Sequence, residues 1–500
     1  MLELEEKLEK YVNGFVEEDE EIYIQKVDNR HSLSWLKKNI PLLDCPNKIL
    51  EKIYYFRWWT FRKHIKDTPE GEIITEFLPP VPWAGSYNSI NCASGFHIRE
   101  GRWLRDSKGL MRNEILFWLR GSGDSHSYST WMAWAVWEYC QVSGDFEFGL
   151  FMLEDLIRDF EVWEKEHFCE KAGLFWSIDD RDCMECSISG SGFRPTLNSY
   201  MYANAAAISK IAGLAQLHDL EERFEQKAQK IKQAVQNFLW DGDFFKVIPV
   251  EVDLEHHTLK QGFLLDFCHV PKEHNVKELL GYIPWYFKLP DQGYEKAFYA
   301  LKDPKVFAGK FGLRTADASH PRYKYHVDHE CLWNGPVWPY ATTQTLVALS
   351  CLLDFYQQKL VSKEDYYKIL CTYAENQFLK DEKGARPWID ENLDGESGEW
   401  IARSILKADG WKAEKGGYER GKDYNHSMFG DLVITGLFGV HVKEDGEIRV
   451  SPKWPDGWDY CMLDGLLIRG HLYRIWYDRT GERYHKGAGL HIRKDGDLIL

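Results

Sequence analysis

The sequence lacks an uninterrupted apolar run long enough to cross a bilayer, and its first residues are charged rather than apolar. A transmembrane helix needs about 20 mostly apolar residues, and a secretory signal needs an apolar core near the N-terminus. We therefore expect neither a membrane span nor a signal peptide.

An excess of positive charge is also missing. The 500 residues contain 62 Lys and Arg against 78 Asp and Glu, which gives a formal net charge of −16. Because nucleic acids and anionic membranes are bound through basic surfaces, we expect neither of them as a partner. The sequence does not indicate an oligomeric state.

The cysteines lack a pairing pattern. They number eleven, are scattered, and include one lone CxxC at Cys183 and Cys186, so we expect reduced thiols in a cytoplasmic protein. The densest group of other ligand-type side chains is His320, His326, His329 and Glu330. Neither group has the spacing of a zinc site, so we predict no metal and no cofactor.

Helical hairpins dominate the middle of the chain. Apolar residues recur at helical spacing over 129–142, 147–167, 199–217, 220–239, 341–356, 364–379 and 425–437. The connecting loops alternate between short and long, and no repeat of fixed period is visible. This pattern favours an (α/α)6 barrel, a ring of six helical hairpins with its site at one end.

Both ends of the chain differ from this middle part. Residues 1–50 are acidic and amphipathic, and prolines interrupt them before an aromatic helix. Residues 441–500 alternate polar and apolar, with repeated Asp-Gly pairs. We predict an N-terminal helical lead-in over 1–50, the barrel over 51–440 and a small antiparallel β domain over 441–500.

Aromatic residues are abundant at 15% of the chain, with 21 Trp. Trp333 and Trp338 flank an Asn-Gly-Pro turn that begins at Asn334. Flat aromatic rings suit the apolar face of a sugar, so we expect both tryptophans to stack on sugar rings and Asn334 to bind a hydroxyl group.

A long non-periodic stretch over residues 75–106 is too aromatic to be disordered. It is either a packed loop held by arginine–carboxylate pairs or a wall of the active site. In the second interpretation, side chains that touch the sugar are Glu76, Trp83, Glu100, Arg102 and Asp106.

Two loops are rich in carboxylates. The first follows Trp176 and carries Asp179, Asp180, Asp182 and Glu185, and the second carries Asp390, Glu391, Asp394 and Glu396. Either could be a solvated turn. Cleavage of a glycosidic bond, however, requires one protonated carboxyl group and a second carboxylate, about 6.5–9.5 Å away when the enzyme inverts configuration.

The segment from Gly312-Leu313-Arg314-Thr315 to Trp-Asn-Gly-Pro-Val-Trp-Pro at 333–339 resembles a group of barrel glycosidases. That group includes trehalase, processing α-glucosidase and mannosylglycerate hydrolase, and it carries Gly-Leu-Pro-Ser followed by Trp-(Arg/Asn)-Gly-Pro-(Val/Ile)-Trp. The resemblance extends over about residues 173–440. It implies an inverting, exo-acting glycoside hydrolase on an (α/α)6 barrel that cleaves α-linked oligosaccharides or small glycosides.

The resemblance also implies roles for individual residues. The mannosylglycerate hydrolases hold their catalytic base in Glu-(Tyr)-Tyr-Asp-Pro-x-Thr-Gly, which residues 391–398 match with Gly395 in place of Pro. Glu391 is then the base and Asp394 a supporting residue.

The family's general acid is an Asp that precedes an Asp-Leu-Asn helix start, which Thr196-Leu197-Asn198 resembles. The resemblance therefore implies an acid within 180–182. We predict Asp182, with Asp180 as the alternative, and Arg181 as a residue that orients sugar hydroxyls. The Ser-x-Arg part of the family motif is missing here. His426, where the last barrel helix begins, either contacts substrate or caps that helix.

Two other functions fit the same features. Sugar epimerases and isomerases also use α/α barrels, with histidines for proton abstraction, and the chain has 18 His. A non-catalytic carbohydrate-binding protein would keep the aromatic residues without a working acid. The sequence does not identify the sugar, its linkage or its aglycone.

Overall fold

The computed structural model describes residues 2–253 and 258–500. The α-helices in these residues are α1 (Leu2–Glu18), α2 (Asn29–Asn39), α3 (Lys48–Phe61), α4 (Ser94–Gly101), α5 (Lys108–Leu119), α6 (Met132–Ser143), α7 (Phe146–Phe151), α8 (Leu153–His167), α9 (Pro195–Leu214), α10 (His218–Phe238), α11 (Ile283–Tyr286), α12 (Pro339–Phe355), α13 (Lys363–Glu375) and α14 (Ile401–Ala408). A short π-helix spans Leu432–Leu437.

The strands are short until the last part of the chain. They are β1 (Leu42–Asp44), β2 (Ile65–Thr68), β3 (Gly71–Ile74), β4 (Phe168–Cys169), β5 (Leu174–Ser177), β6 (Gly192–Phe193), β7 (Ile248–Pro249), β8 (Val252–Asp253), β9 (Thr258–Leu259), β10 (Ala308–Gly309), β11 (Gly312–Leu313), β12 (Phe378–Asp381), β13 (Gly384–Pro387), β14 (Val440–Val442), β15 (Ile448–Val450), β16 (Tyr460–Ile468), β17 (His471–Asp478), β18 (Gly489–Lys494) and β19 (Asp497–Leu498).

The helices form an (α/α)6 barrel, as predicted. Helices α3, α4, α6, α9, α12 and the π-helix are buried on most faces, as the inner helices of a barrel must be. Outer helices are amphipathic: α10 buries Phe224, Ala228, Ile231 and Val235 at helical spacing and exposes its charged side. Helix α10 packs along α9 as one hairpin of the ring.

Three predicted helices differ from their apolar patterns. The helix predicted over 147–167 is divided at Met152 into α7 and α8. Helix α13 ends at Glu375 because the chain turns into the β12–β13 hairpin. The helix predicted over 425–437 forms only at its end. The Glu100 carboxylate accepts the backbone N–H groups of Phe429, Gly430 and Asp431 at 3.2, 2.8 and 2.8 Å, which fixes the start of the helical turn there.

The predicted β domain is present as an antiparallel sheet with the order β1-β16-β17-β18-β19. Its first strand comes from residues 42–44, where Leu42 pairs with Asp464. No sequence pattern indicated β1, because three residues are too few to show alternation. No helix in the described residues has the length and apolarity that a membrane span requires.

A small sheet holds the first carboxylate loop in place. Strands β4, β5, β6 and β7 pair in that order, and residues 178–191 connect β5 to β6. The second carboxylate loop is joined to the Trp333–Trp338 segment by two backbone hydrogen bonds between Val337 and Leu393, at 2.8 and 2.9 Å. These pairings direct both loops towards the same end of the barrel.

Candidate active site

A cavity of about 200 Å³ lies where these loops meet. Its walls come from residues 76–92, Tyr128, 183–185, 329–338, Glu391 and 420–426. Two larger cavities, of about 450 and 680 Å³, lie elsewhere. In the first, Glu138 is ion-paired with Arg99 and Arg102, and in the second, Asp44 and Glu51 are ion-paired with Lys7. Of these three cavities, the smallest is the one that unites both predicted tryptophans with Glu391.

Glu391 is buried in this wall and bound by an arginine. Arg420 donates from Nε to Oε1 at 2.8 Å and from Nη2 to Oε2 at 3.0 Å. Burial by itself lowers the pKa of Arg420, but the Glu391 carboxylate outweighs this effect and raises it. A two-pronged arginine contact fixes the position of a carboxylate. Oε2 also accepts from the Cys331 thiol at 3.6 Å, while Oε1 retains a lone pair for a further hydrogen bond.

Glu185 lines the same cavity, but its carboxyl group has different neighbours from that of Glu391. Its backbone oxygen accepts from Trp333 N at 3.0 Å, which ties the first carboxylate loop to the tryptophan segment. Within the described residues, no cation lies in ion-pair contact with its carboxyl group. Burial, followed by the charges of Asp180, Glu76 and Asp179, raises the pKa of Glu185 to about 8. Glu185 and Glu391 thus form a pair of carboxyl groups with opposite surroundings.

A third carboxyl group, that of Glu76, belongs to a hydrogen-bonded chain. Tyr424 Oη donates to Glu76 Oε1 at 2.7 Å and lies 2.8 Å from His426 Nδ1. The Cys92 thiol donates to Glu76 Oε2 at 3.1 Å. Burial raises the pKa of Glu76 to about 7. Both oxygens of this group are therefore occupied by protein donors.

Asp182, the predicted acid, lies outside the cavity wall. Its Oδ1 accepts from Ser129 Oγ at 2.8 Å and from Ser177 Oγ at 3.0 Å, and its Oδ2 accepts from Arg194 Nε at 2.6 Å. Both partners in this ion pair are fully buried. The arrangement suits a residue that holds the loop together, because no oxygen of Asp182 points into the cavity without a partner.

The alternative acid and the supporting carboxylate also lie outside the wall. Asp180 is half-buried, and burial followed by the charge of Asp179 raises its pKa. Asp394 binds the backbone N–H groups of Glu396 and Ser397, both at 2.9 Å, and is ion-paired with Lys324. Although burial opposes the change, these contacts lower the pKa of Asp394 to about 2. Asp394 therefore shapes the turn that follows Glu391.

The predicted aromatic wall is present, with a different arrangement. Trp333 and Trp338 stack on each other, with ring centroids 4.6 Å apart and an interplanar angle of 11°. They form one double-layered wall rather than two sides of a clamp, and both rings are almost fully buried, at 3% and 2% exposed. Trp83 lies at the rim, 42% exposed, with the Arg420 guanidinium 4.8 Å from its ring centroid.

Several other residues that were predicted to touch the sugar contact other parts of the protein instead. Arg102 is paired with Asp431, Asp106 with Lys38 at the surface, and Trp176 packs on His167 in the core. Arg181 donates to the Ser127 carbonyl, and Asn334 donates to the His326 carbonyl at 2.8 Å. The interpretation of 75–106 as a cavity wall therefore fits Glu76 and Trp83. The stretch is not one continuous loop, because Glu100 lies in the barrel helix α4 and Arg102 directly follows it.

A model of the mannosylglycerate hydrolase MGH1-like glycoside hydrolase domain matches residues 86–427, more than half of the chain. The chain belongs to this family. The resemblance inferred from the sequence is thereby confirmed. A model of the C-terminal domain of glycosyl hydrolase family 65 matches residues 442–499 of this MGH1-like chain, which is the β domain.

Several solved structures are similar to this MGH1-like chain. A protein described as a sialidase is 37% identical, with a TM-score of 0.88, over 99% of this chain and 43% of that one. The chain thus spans less than half the length of that relative. The GH63 mannosylglycerate hydrolase from Thermus thermophilus, in complex with glucose, is 10% identical with a TM-score of 0.50, over 76% of this chain and 98% of that one.

The GH78 family rhamnosidase of Bacillus sp. GL1 is 10% identical with a TM-score of 0.52, over 88% of this chain and 40% of that one. At such low identity, these last two likenesses show the fold alone.

The cavity residues of the MGH1-like domain that sequence reasoning did not assign to the site include Cys92, Cys183, Glu185, Arg420 and Tyr424. Glu185 was visible as the last of four acids in its loop, but its enclosure depends on Trp333 from a distant segment. Arg420 and Tyr424 lie in a stretch of charged and glycine residues without a recognisable motif. Their roles follow only from the contacts with Glu391 and Glu76.

Proposed function

We propose that the protein is an exo-acting glycoside hydrolase that inverts configuration, with Glu185 as general acid and Glu391 as general base. The observation that carries the proposal is the presence of two unlike carboxyl groups in one small aromatic cavity. Glu391 is bound by Arg420, and Glu185 lacks a cationic partner among the described residues. An inverting glycosidase requires this difference, because one carboxyl donates a proton while the other accepts one.

Glu391 acts on water in this proposal. Arg420 keeps the carboxylate oriented, and the remaining lone pair on Oε1 accepts a proton from a water molecule that attacks the anomeric carbon. Trp333 and Trp338 supply apolar surface in the wall beside the sugar ring that is attacked. The positions of the ring and of the water are thus both set by the chain segment that contains 333–338 and the loop joined to it.

Glu185 delivers the proton to the leaving oxygen. A carboxyl group enclosed by protein and close to other acids keeps its proton more readily than one beside an arginine. Asp182 remains the alternative acid implied by the resemblance. Its two hydroxyl donors and its contact with Arg194 occupy both oxygens and hold them away from the cavity, which supports Glu185 instead.

The size of the cavity supports attack on a terminal sugar. A space of about 200 Å³ is smaller than the roughly 300–1,000 Å³ of sites for drug-sized ligands. We infer a substrate with one sugar ring in the cavity and the aglycone beyond Trp83 at the rim. An α-linked oligosaccharide or small glycoside is expected from the resemblance, and the eleven free thiols support a cytoplasmic setting.

Time-resolved proton NMR over α- and β-linked disaccharides, glycosylglycerates and aryl glycosides tests this function. We expect one substrate to release sugar whose first-formed anomer is opposite to that of the bond cleaved. Release with retained configuration would refute the inverting assignment. A sugar isomerised without bond cleavage would support the epimerase alternative, and binding without turnover over the whole panel would support the carbohydrate-binding alternative.

A further inference from the structure

We propose that Cys92, Cys183 and His426 bind a zinc-type divalent cation in the wall of the sugar cavity, with one coordination position open to substrate. The two Sγ atoms and the imidazole nitrogen all lie within 4.8 Å of one another, and all three side chains are buried. All three also line the cavity that contains Glu391. That the open position faces a sugar rests on the proposed function; the cation site itself does not.

The separation of Cys92 and His426 is close to that of tetrahedral zinc ligands, and Cys183 lies no more than 4.8 Å from either. With Zn–S bonds of about 2.3 Å and Zn–N bonds of about 2.0–2.1 Å, ligand atoms in a tetrahedron lie roughly 3.5–3.8 Å apart. Cys92 Sγ lies 3.3 Å from His426 Nε2. Shifts of a few tenths of an ångström in this pair are enough to admit the ion between them.

The hydrogen-bond chain assigns the state of His426. Tyr424 has one hydroxyl hydrogen, which it donates to Glu76 Oε1 at 2.7 Å. The 2.8 Å contact between Tyr424 Oη and His426 Nδ1 is then a hydrogen bond in which Nδ1–H donates. Neutral His426 therefore keeps the lone pair on Nε2, on the side of Cys92. Zinc-bound histidines are oriented by such a hydrogen bond from the second ring nitrogen.

Cys92 lies between two acceptors. Its Sγ is 3.1 Å from Glu76 Oε2 and 3.3 Å from His426 Nε2. The Nε2 lone pair is therefore directed at this sulfur atom, and a cation between the two atoms would be bound by both.

Binding is balanced in charge and in protons. Cys92 and Cys183 each release a thiol proton to solvent, two Zn–S bonds and one Zn–N bond form, and no oxidation occurs. Two thiolates neutralise the divalent ion. Two cysteines and one histidine with an open fourth position are a ligand set of catalytic rather than structural zinc sites. A neutral ligand such as a sugar hydroxyl or water completes it.

The ligand chemistry selects the metal. Thiolate and imidazole favour zinc and related transition metals over Mg²⁺ or Ca²⁺, which prefer oxygen. The sequence did not predict this site, because its ligands come from three distant segments and the CxxC partner Cys186 takes no part. Cys331 is a matched control, since it lines the same cavity but lies 3.6 Å from Glu391 Oε2 instead of joining the cluster.

Metal content tests the proposal independently of any hydrolysis. Purified full-length protein, stripped with a chelator under reducing conditions, would be loaded with Zn²⁺ or Co²⁺, freed of excess ion and measured by mass spectrometry and absorption. We expect about one equivalent of either ion, a thiolate–cobalt charge-transfer band and a Zn²⁺-dependent rise in Tm. Cys331→Ser should behave as wild type, while Cys92→Ser, Cys183→Ser and His426→Ala should lose the ion and the rise in Tm.

Two results would overturn the proposal. One is wild-type protein that retains no stoichiometric ion and whose Tm does not rise when Zn²⁺ is added up to millimolar concentration. The other is folded Cys92→Ser and Cys183→Ser protein that binds as wild type does. If one variant fails to fold, the other two decide, because each removes a different one of the three ligands. Hydrolysis that persists in metal-free protein would leave the proposed function intact.

Discussion

Arg420 contacts both oxygens of Glu391, from Nε at 2.8 Å and from Nη2 at 3.0 Å, with both side chains almost fully buried. Removal of one partner of a buried ion pair costs more folding stability than the intact pair contributes, because the remaining charge is left without compensation. This contact therefore couples the stability of the site to its chemistry.

We predict that Arg420→Ala lowers the free energy of unfolding by about 3–5 kcal/mol and abolishes most activity. Arg420→Lys should keep more stability but lose activity, because a lysine cannot form the two-pronged contact. Urea unfolding and initial rates would measure both effects. Arg403, which contacts Glu419 in the same two-pronged way outside the cavity, provides the control. If Arg403→Lys impaired turnover as much as Arg420→Lys, the prediction that activity depends specifically on Arg420 would be contradicted.

The two kinds of tryptophan should respond differently to truncation. Trp83 is 42% exposed at the rim, so Trp83→Ala should raise KM with little change in Tm. Trp333 is buried and stacked on Trp338, so Trp333→Ala should cost about 3–5 kcal/mol of stability in addition to activity. Thermal unfolding together with KM and kcat distinguishes the two. An unchanged KM in Trp83→Ala would show that Trp83 does not contact the substrate.

Asp354 at the end of α12 should make stability depend on acid pH. It accepts from His441, Lys453 and Ser451, at 2.9, 2.7 and 2.7 Å, and so ties the barrel to the segment that starts the β domain. Although burial opposes the change, the contacts with His441 and Lys453 lower the pKa of Asp354 to about 2 from an ordinary 3.8.

The stabilisation from Asp354 is therefore complete above pH 3.8 and lost as the pH falls through about 2. A shift of this size corresponds to about 2 kcal/mol. Unfolding free energies measured between pH 5 and pH 2 in wild type and Asp354→Asn should converge at the acid end. A constant difference over that range would contradict the prediction.

The sequence predicted the barrel because helical spacing and loop lengths are local properties. It predicted the β domain for the same reason, and it missed β1 because three residues carry no periodicity. The Trp333–Trp338 motif led to the correct cavity. The contacts of the carboxyl groups were less accessible, since the surroundings of Glu185 depend on Trp333 and Glu76, and the partner of Asp182 is Arg194, which the sequence analysis did not assign. Long-range contacts of this kind leave no pattern in one chain.

The Cys92, Cys183 and His426 cluster illustrates the same limit. Motif spacing finds metal ligands that are near in sequence, such as the lone CxxC at Cys183 and Cys186. Here the three side chains meet only because the first long loop, the first carboxylate loop and the start of the last barrel helix converge on one cavity.

The proposed roles of Glu185 as general acid and Glu391 as general base are tested most directly by varying the leaving group. On the sugar that the NMR panel identifies, rates would be compared for a dinitrophenyl glycoside, which leaves without a proton, and an alkyl glycoside, which requires one. We predict that Glu185→Gln loses about 10²–10⁴-fold on the alkyl glycoside and far less on the dinitrophenyl glycoside, whereas Glu391→Gln loses a similar factor on both. The opposite result, in which folded Asp182→Asn shows the leaving-group dependence and Glu185→Gln does not, would contradict the account and assign the acid to Asp182.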